Sequence, residues 1–472
     1  MRRIDLVLAG HRQRVSAQRM PRRDLYEWLT GPDGGGADPE GRSYRSGFWA
    51  TVVIPAQPGP GTLTLEAAIR LEDGSQARAT LGTIAIVPQA PGAPSPVPAP
   101  SAASGTIAVC LAAFEPDPAL LSVQIQSLRD QTDPDWICIV SDGGSGEAGF
   151  GHLRAEIGDD PRFRVSRSAT RLDPYRNFER ALTLVPADAA LIALCDQDDR
   201  WYPDKLAALR AGLGDAQLVY SDQRLISPDG RLLRDSLWTG RRHDPANIAS
   251  LLVANTAPGA AMLFRRELLD RALPFPVLPG LPFHDHWLAL AGLASGRLAY
   301  VDRPLYDYVQ HGGAVQGVVA AGGSDPERGP LAAWRGAARS MLRGGSRGWR
   351  GAYFGGYMMR QVQAQVLLAR SGPELRGSNR RALRRFAAAD QSLSGFLWLA
   401  LRPLRRLIGR DETLGGELAL ARGIAWRWLV VLATGTRRRP GRFAADASFP
   451  DPPRYEQRRL RRWRAGSPGR TG

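Results

Sequence analysis

The carboxylates that follow residue 195 are the side chains of this sequence best suited to chemistry. The stretch LIALCDQDDRWYPDKL, residues 191–206, leads an apolar run directly into Asp196, Asp198 and Asp199. Carboxylates crowded together repel one another unless a cation or a shared proton intervenes. Mg²⁺ or Mn²⁺ takes one or two protein carboxylates and completes its shell with water and phosphate oxygens. The pattern indicates a metal that bridges the protein to a diphosphate, although Asp-x-Asp alone fits a solvated acidic turn equally well.

The elements that must position these acids alternate along the chain. The runs TIAVCLAAF, WICIVSD and ALIALCD read as buried strands, and PALLSVQIQSLRDQT, NFERALTLV and DKLAALRAGL have helical spacing. Such alternation predicts parallel βαβ units and an α/β fold with a doubly wound sheet. Ligands of these sheets bind beyond the carboxyl ends of the strands. Asp142 and Asp196 each follow a strand, so we expect them at one edge.

Regions of different composition flank this alternation. Residues 88–104, PQAPGAPSPVPAPSAAS, are rich in Pro, Ala and Ser and predict a semi-extended linker. Residues 1–87 contain alternating apolar and polar runs punctuated by Gly and Pro, which predicts a β-rich accessory domain. Residues 319–472 are Arg-rich with helical spacing. The catalytic unit is therefore expected between residues 105 and 318.

The positive charge of the chain is concentrated near its C-terminal end. Of the formal net charge of +16, residues 371–472 contribute 22 arginines against 8 acids. The tail suits amphipathic helices that pack on the catalytic domain, or a membrane surface contacted through Arg and Trp. Nucleic acid is the least favoured partner because no recognition module accompanies the arginines. The apolar runs are too short to span a bilayer, and a poor signal-peptide pattern predicts a cytoplasmic protein.

The stretch DQDDRWYPDKL resembles the donor-binding signature of family 2 glycosyltransferases, closest to the bacterial rhamnosyltransferase-like members. Further matching pieces follow in the order of that family, within about 105–318: IAVCLAAFEP, QIQSLRDQT, SDGGS, NFERAL, VYSD, GAAMLFRREL, HDHW and YVQHGGAVQG. The resemblance implies a GT-A, Rossmann-like fold with a mostly parallel sheet. It also implies inverting transfer of a sugar from a nucleotide-diphosphate donor.

The resemblance assigns a role to individual positions. Nucleotide binding is implied for Asp142, Asp196, Phe114 and Glu115. Asp198 is implied as the main ligand of Mg²⁺ or Mn²⁺, with His311 reaching the diphosphate or the metal. Asp285 of HDHW is the implied general base, and the acceptor is expected to contact Gly259, Trp287 and His284. The sequence departs from the family at three places: Gly143, His286 and Ala314.

The resemblance favours dTDP-rhamnose as the donor and a glycan or lipid-linked glycan as the acceptor. This would place the protein in bacterial cell-surface polysaccharide synthesis, such as that of O-antigen, with a peripheral location at the inner face of the cell membrane. The alternative is a catalytically degenerate scaffold that binds a nucleotide sugar or glycan at the membrane surface. Intact Asp198 and Asp285 argue against this alternative.

Overall fold

The computed structural model of the protein describes most of the chain between residues 3 and 436. The described ranges are 3–14, 17–20, 46–49, 61–71, 73–86, 105–238, 244–278, 282–310, 346–371, 374–410, 412–413 and 415–436, with single positions at 25, 29, 43 and 52. The predicted linker, His311 and Ala314 lie outside these residues.

Six strands near the N-terminus form two antiparallel assemblies, a four-stranded sheet in the order β2-β1-β5-β6 and the pair β3-β4. Their bounds are β1 Arg3–Leu8, β2 His11–Arg14, β3 Ala17–Met20, β4 Gly47–Trp49, β5 Gly61–Arg70 and β6 Gln76–Ile86. Ala9 and Gly10, at φ 48° and 77°, form the two-residue loop between β1 and β2, where positive φ matches the twist of a hairpin. Ile4, Leu6 and Ala67 form a small core of their own.

A nine-stranded mixed sheet occupies the middle of the described chain, in the order β11-β15-β12-β14-β10-β7-β8-β9, with β13 beside β12. Its strands are β7 Ile107–Ala113, β8 Trp136–Asp142, β9 Phe163–Arg167, β10 Leu191–Asp196, β11 Arg200–Trp201, β12 Leu218–Ile226, β13 Leu232–Arg234, β14 Met262–Arg265 and β15 Leu298–Val309. β7 to β10 are mutually parallel, and β14 is antiparallel to both of its neighbours. The predicted α/β fold is confirmed.

Helices cover this sheet and connect its strands. They are α1 Pro118–Arg129, α2 Glu147–Ile157, α3 Pro174–Thr183, α4 Lys205–Leu213, α5 Ile248–Val253, α6 Leu269–Ala272 and α7 His284–Ser295. Asp117 caps the amide groups that begin α1, and Asp173 does the same for α3. In both cases Pro follows as the first helical residue, where its missing N–H costs nothing.

The C-terminal helices pack into the same core as the mixed sheet. They are α8 Ser346–Gly351, a π-helical segment Ala352–Met358, α9 Met359–Ser371, α10 Gly377–Ala387, α11 Leu393–Leu401, a 3₁₀ segment Arg402–Ile408 and α12 Gly416–Thr436. Tyr353, Phe386 and Trp426 are buried members of that core. At Gly423 an added Cβ would lie 2.5 Å from the Tyr353 amide nitrogen, so the close approach of α12 requires glycine. Within the described chain, no helix is long and apolar enough to cross a membrane.

Candidate active site

Two of the predicted nucleotide-binding acids lie at one edge of the mixed sheet. Asp142 ends β8 and pairs with Ala113 of β7, and Asp196 ends β10 and pairs with Ala112. A single strand therefore separates them, and both carboxyl ends point the same way because the three strands are parallel. β7 and β10 are almost wholly apolar and buried, as expected of strands covered on both faces. Because the strands themselves are apolar, the polar side chains lie beyond their carboxyl ends, at this edge of the sheet.

Asp142 is fully buried and has partners within the protein. The Ser145 hydroxyl donates to its Oδ1 at 2.5 Å, and the Ser145 amide donates to its Oδ2 at 3.1 Å. The Arg167 guanidinium lies 3.6 Å from Oδ2. These contacts compensate the cost of burying the carboxylate. A nucleotide at this position would share oxygens that already accept hydrogen bonds, so the predicted role of Asp142 stays a prediction.

The glycine at position 143, one of the three departures from the family pattern, has a steric explanation. A Cβ there would lie 2.9 Å from Nδ2 of Asn177. That amide donates to the Ala113 carbonyl at 3.0 Å, and its oxygen accepts from the Ser141 hydroxyl at 2.7 Å. Asn177 thus ties three segments of the edge together and leaves no room for a side chain at 143. Its role was not anticipated from sequence, although it lies in the NFERAL piece.

Hydrogen bonds join the residues that follow β7 to the loop after β8 and to the loop after β10. The side-chain amide of Gln197 accepts from the Phe114 amide at 2.8 Å and donates to the Phe114 carbonyl at 3.2 Å. Glu115, at a positive φ of 41°, donates its amide to Ser145 Oγ at 2.8 Å and accepts the Gly146 amide at 2.7 Å. The structure therefore brings Phe114 and Glu115 to the edge that carries Asp142 and Asp196. Gln197 was also missed as a positioning residue.

The acids after β10 meet Asp285 across the sheet edge. Burial, then the charge of Asp198, then that of Asp285 raise the pKa of Asp196 to about 7. Asp285 must lie within electrostatic reach to have this effect, although it follows Asp196 by almost ninety residues. Burial and the charges of Asp198 and Asp196 also raise the pKa of Asp199 well above its ordinary value. The structure thus unites the predicted metal and base positions in one acidic cluster, which we define as Asp196, Asp198, Asp199 and Asp285.

The only lysine of the chain is a buried partner of this cluster. Lys205 donates to the Ala260 carbonyl at 2.5 Å, and its Nζ lies 3.5 Å and 4.2 Å from the ring centres of Trp201 and Tyr306. Burial lowers its pKa to about 7, while Cys195, Asp199 and Asp196 oppose that shift. Its position makes it an internal counter-charge. A single positive charge cannot balance all four acids of the cluster.

Asp199 carries the observation that favours an external cation. Its Oδ1 accepts from the Val309 amide at 3.4 Å, and its buried Oδ2 has no hydrogen-bond partner among the described residues. An unpartnered buried carboxylate oxygen is costly unless something else satisfies it. Carboxylate oxygens are the donors that Mg²⁺ and Mn²⁺ prefer, so the unpartnered oxygen of Asp199 is suited to such an ion. No group of three or more His, Cys, Asp or Glu side chains in the described ranges has metal-binding geometry, and His311 lies outside those ranges.

Asp285 lies in the first turn of α7. Burial raises its pKa to about 6, against hydrogen bonds from the His286 and Gly259 backbone and the Asn255 side chain that lower it. The His286 amide donates to Oδ1 at 2.6 Å. A carboxylate poised near neutral pH is suited to accept a proton. Asn255, which the sequence did not single out, helps to orient it.

His284 and Gly259 lie side by side next to this base. The His284 ring stacks on Phe178 with centroids 3.7 Å apart, and burial lowers its pKa to about 3, so the ring is neutral. Its buried Nε2 has no hydrogen-bond partner in the described part of the chain. A Cβ at Gly259 would lie 2.7 Å from that nitrogen. Glycine is therefore needed here, and the predicted contact of His284 with the acceptor stays a prediction.

Trp287 is not available to an acceptor in this structure. Its side chain is 0% exposed, and its indole nitrogen donates to the Ala272 carbonyl at 2.9 Å. The neighbouring His286 is also buried and pairs through Nε2 with the Leu251 carbonyl at 2.8 Å. Both residues lie on the faces of α7 that meet the core. The prediction that Trp287 stacks on sugar is therefore corrected to a packing role.

Comparison with known proteins places a family within this part of the chain. Residues 109–273 match the family model described as Glycosyl transferase family 2. A curated relative, "Uncharacterized protein y4gI" of Sinorhizobium fredii (strain NBRC 101917 / NGR234), is 32% identical over 128 residues. That match covers 26% of this chain and only 14% of the relative, so this chain spans a minor part of the relative's length.

Solved structures that are similar to this chain at low sequence identity include two of TarS and one of a mannosyltransferase. The match to the structure of S. aureus TarS covers 67% of this chain and 55% of the TarS chain, at 14% identity and a TM-score of 0.38. TarS 1-349 in complex with UDP-GlcNAc covers 71% and 93%, at 15% identity and a TM-score of 0.40. Mannosyltransferase PcManGT from Pyrobaculum calidifontis, in complex with GDP-Man and Mn²⁺, covers 71% and 91%, at 16% identity and a TM-score of 0.36.

The family match and the geometry concern the same residues. Asp142, Asp196 and Asp198 all lie inside the matched segment, at the carboxyl edge of the sheet. Residues 109–273 of this chain are therefore similar to the Glycosyl transferase family 2 model over the segment that carries these acids.

Proposed function

We propose that this protein is a metal-dependent inverting glycosyltransferase that moves a sugar from a nucleotide-diphosphate donor to a hydroxyl of a glycan acceptor. One observation carries the proposal: a base-like carboxylate, Asp285, lies within electrostatic reach of Asp196, the carboxylate that Asp198 and the buried Lys205 also face. A single displacement needs a base for the acceptor hydroxyl and charge compensation for the departing diphosphate. The two parts of the cluster match these two needs.

On the donor side, Asp142, Phe114 and Glu115 form the nucleotide end of the site. Asp198, with Asp196 beside it, would hold Mg²⁺ or Mn²⁺, and His311 is a further candidate contact. When bound, such a cation neutralises the negative charge that develops on the diphosphate. Lys205 keeps Asp196 and Asp199 close together without filling the place of the cation.

On the acceptor side, Asp285 removes the proton of the attacking hydroxyl. Its pKa of about 6 leaves it mostly ionised at neutral pH and still basic enough to accept a proton. The neutral His284 ring can orient the acceptor through Nε2, in the space that Gly259 leaves open. Inversion follows because one displacement, with no covalent intermediate, reverses the configuration of the sugar carbon.

The finer assignment rests on the DQDDRWYPDKL motif. Its resemblance to rhamnosyltransferase-like members makes dTDP-rhamnose the first donor to test, with a glycan or lipid-linked glycan as acceptor in bacterial cell-surface polysaccharide synthesis. A lipid-linked acceptor would be met at the inner face of the membrane, where the protein would be peripheral. Donor screening with a panel of nucleotide sugars tests this assignment independently of the reaction type.

The test of the proposal is calorimetry of a nucleoside diphosphate with and without Mn²⁺. Asp198→Asn should lower the Mn²⁺-dependent affinity by about tenfold or more, because it removes a metal ligand and keeps its shape. Asp204→Asn is the matched control, since Asp204 lies in the same motif but pairs with Arg303 at the surface. Equal affinity of the wild type with and without Mn²⁺ would contradict the metal-dependent mechanism.

A further inference from the structure

The 3₁₀ segment and the helix before it carry a large exposed apolar face. Six side chains between residues 393 and 408 are each 44–74% exposed, and we name them the apolar ledge: Leu393, Leu397, Leu401, Leu404, Leu407 and Ile408. The other exposed large apolar side chains of the described chain are scattered singly or in pairs. A soluble surface seldom gathers so many, and such a patch indicates an interaction site.

The spacing of the ledge makes it one face of a helix. Leu393, Leu397 and Leu401 follow at intervals of four, so they form a row along α11. The inner side of the same helix is held by the protein: Leu399 is buried, and Ser392 caps the first turn. The following Arg402 and Arg405 point inward to Ser250, Glu417 and Glu412. The helix is thus fixed on one side and uncovered on the other.

The surroundings of the ledge are strongly cationic. Residues 376–410 contain nine arginines and one acid, Asp390, which is buried. On α10, Arg381, Arg384 and Arg385 are exposed, and Arg410 lies at the far end of the 3₁₀ segment with its side chain 54% exposed. Arg410 pairs with Asp244 at 3.9 Å, and the arginines still outnumber the acids around the ledge. Apolar side chains beside such an excess of arginines complement a surface that is negatively charged outside and apolar beneath.

A cleft runs along the flank of the ledge. Ser394, Trp398 and Arg402 each follow a ledge residue by one position and line a cleft of about 670 Å³, opposite Arg381 and Arg385 of α10. The guanidinium groups of Arg385 and Arg402 lie 5.2 Å and 5.1 Å from the Trp398 ring centre. Asp244 is the acid in the lining. Two arginines at one aromatic ring, with a third arginine in the same lining, suit an anionic group such as a phosphate.

We propose that the apolar ledge docks on an anionic phospholipid bilayer, with the arginine cleft beside it taking a lipid phosphate. The leucines enter the boundary between head groups and acyl chains, and the arginines stay at the head groups. The sequence predicted a contact through Arg and Trp, and here Trp398 lines the cleft while Trp426 is buried, so the inserted side chains are leucines. The inference does not depend on the proposed transfer reaction.

The experiment is flotation of the full chain with vesicles of phosphatidylcholine alone and vesicles in which phosphatidylglycerol replaces part of it. Replacing Leu397, Leu401 and Leu404 by Ser should lower the bound fraction on anionic vesicles about tenfold or more, because three apolar side chains no longer insert. Leu184→Ser with Leu232→Ser is the matched control, since these two side chains are exposed to a similar degree elsewhere. The single change Leu407→Glu serves if the triple variant does not fold.

A second pair of variants tests the cleft. Arg381→Gln with Arg385→Gln should remove most of the preference for anionic over neutral vesicles, while the circular dichroism spectrum stays that of the wild type. Unchanged flotation of the ledge variants would overturn the proposal, and the contact would then lie elsewhere in the chain. A wild type that sediments as a dimer without lipid, and becomes monomeric in the ledge variants, would also overturn it in favour of self-association.

Discussion

Buried carboxylates in two regions of this protein have opposite surroundings. In the C-terminal helices, Asp390 accepts from the Tyr353 hydroxyl at 3.1 Å and the Gln361 amide at 3.0 Å, with Arg427 at 3.8 Å. In the acidic cluster, Asp199 has one long hydrogen bond and an oxygen with no partner among the described residues. Burial raises the pKa of both acids. Only in the cluster do other carboxylates raise it further.

Asp307 strengthens the contrast. It is fully buried near the rim of the sheet, yet its pKa is lowered, because hydrogen bonds from Arg224, Tyr202 and Arg200 outweigh the effect of burial. A carboxylate that serves the fold is thus supplied with its own donors. The acidic cluster has too few hydrogen-bond donors for its carboxylates. Buried carboxylates whose pKa values are perturbed in this way are typical of a site that binds a ligand. The predictions that follow test this distinction from the largest expected effect to the smallest.

The largest effect is expected at the base. Asp285→Asn should reduce turnover by roughly 10²–10⁴-fold, the usual contribution of a positioned base, and leave donor affinity near that of the wild type. Initial rates with a confirmed acceptor, together with calorimetry of the donor, measure the two quantities. Asp270→Asn, an exposed acid on α6, is the control. Near-normal turnover in Asp285→Asn would place the base elsewhere.

A smaller effect, and on a different quantity, is expected in the C-terminal helices. Asp390→Ala should lower the free energy of unfolding by about 3 kcal/mol, because it leaves Arg427, Tyr353 and Gln361 buried without their acceptor. Urea unfolding measures this change. Donor affinity of the folded variant should equal that of the wild type, and Asp188→Ala, at an exposed position, should change neither quantity. A variant that is as stable as the wild type but binds the donor more weakly would contradict the assignment of Asp390 to the fold alone.

The smallest effect concerns the pH dependence of stability. The pKa of Asp196 is about 7 in the folded protein and near 3.9 when unfolded, so the folded state holds an extra proton between those values. Its contribution is fully present below about pH 4 and is lost as the pH rises to about 7. The stability of the wild type relative to Asp196→Asn should therefore decline over that interval by at most about 1.4 kcal/mol for each pH unit, so that one pH unit changes stability less than Asp390→Ala does.

Urea unfolding at several pH values, without divalent cation, measures that difference. Subtracting the variant removes the contributions of His284 and His286, whose lowered pKa values act in the opposite direction below pH 6. Added Mn²⁺ should offset the decline in the wild type and have less effect in Asp196→Asn. A difference that does not change with pH would mean that Asp196 is ionised throughout and that the cluster is already balanced.

The backbone arrangement of the site could be predicted from sequence. Apolar strands β7, β8 and β10 alternate with helices, and parallel connections bring their carboxyl ends together, so Asp142 and Asp196 were expected at one edge. The Pro-broken loop before Asp285 and the helical spacing of WLALAGL after it likewise predict a helix that starts at this position. These features depend on periodicity and chain direction, which a single sequence displays.

The side-chain contacts could not be predicted in the same way. Gln197, Asn177 and Asn255 act through backbone groups of segments distant in sequence, and nothing in their own neighbourhoods reveals those partners. The helix α7 is apolar on nearly every side, so its sequence did not distinguish the core-facing position of Trp287 from a pocket-facing one. Burial of that kind is decided by what packs on the helix.

The single lysine has a practical consequence for anyone who studies this protein in solution. A lysine-specific protease has only the peptide bond after Lys205 to cut, and that residue is 0% exposed at the start of α4. Cleavage into two fragments therefore requires that the core beneath the acidic cluster opens. The rate of that one cut, read on a gel, reports how often this part of the molecule unfolds, and a ligand that binds the cluster should slow it.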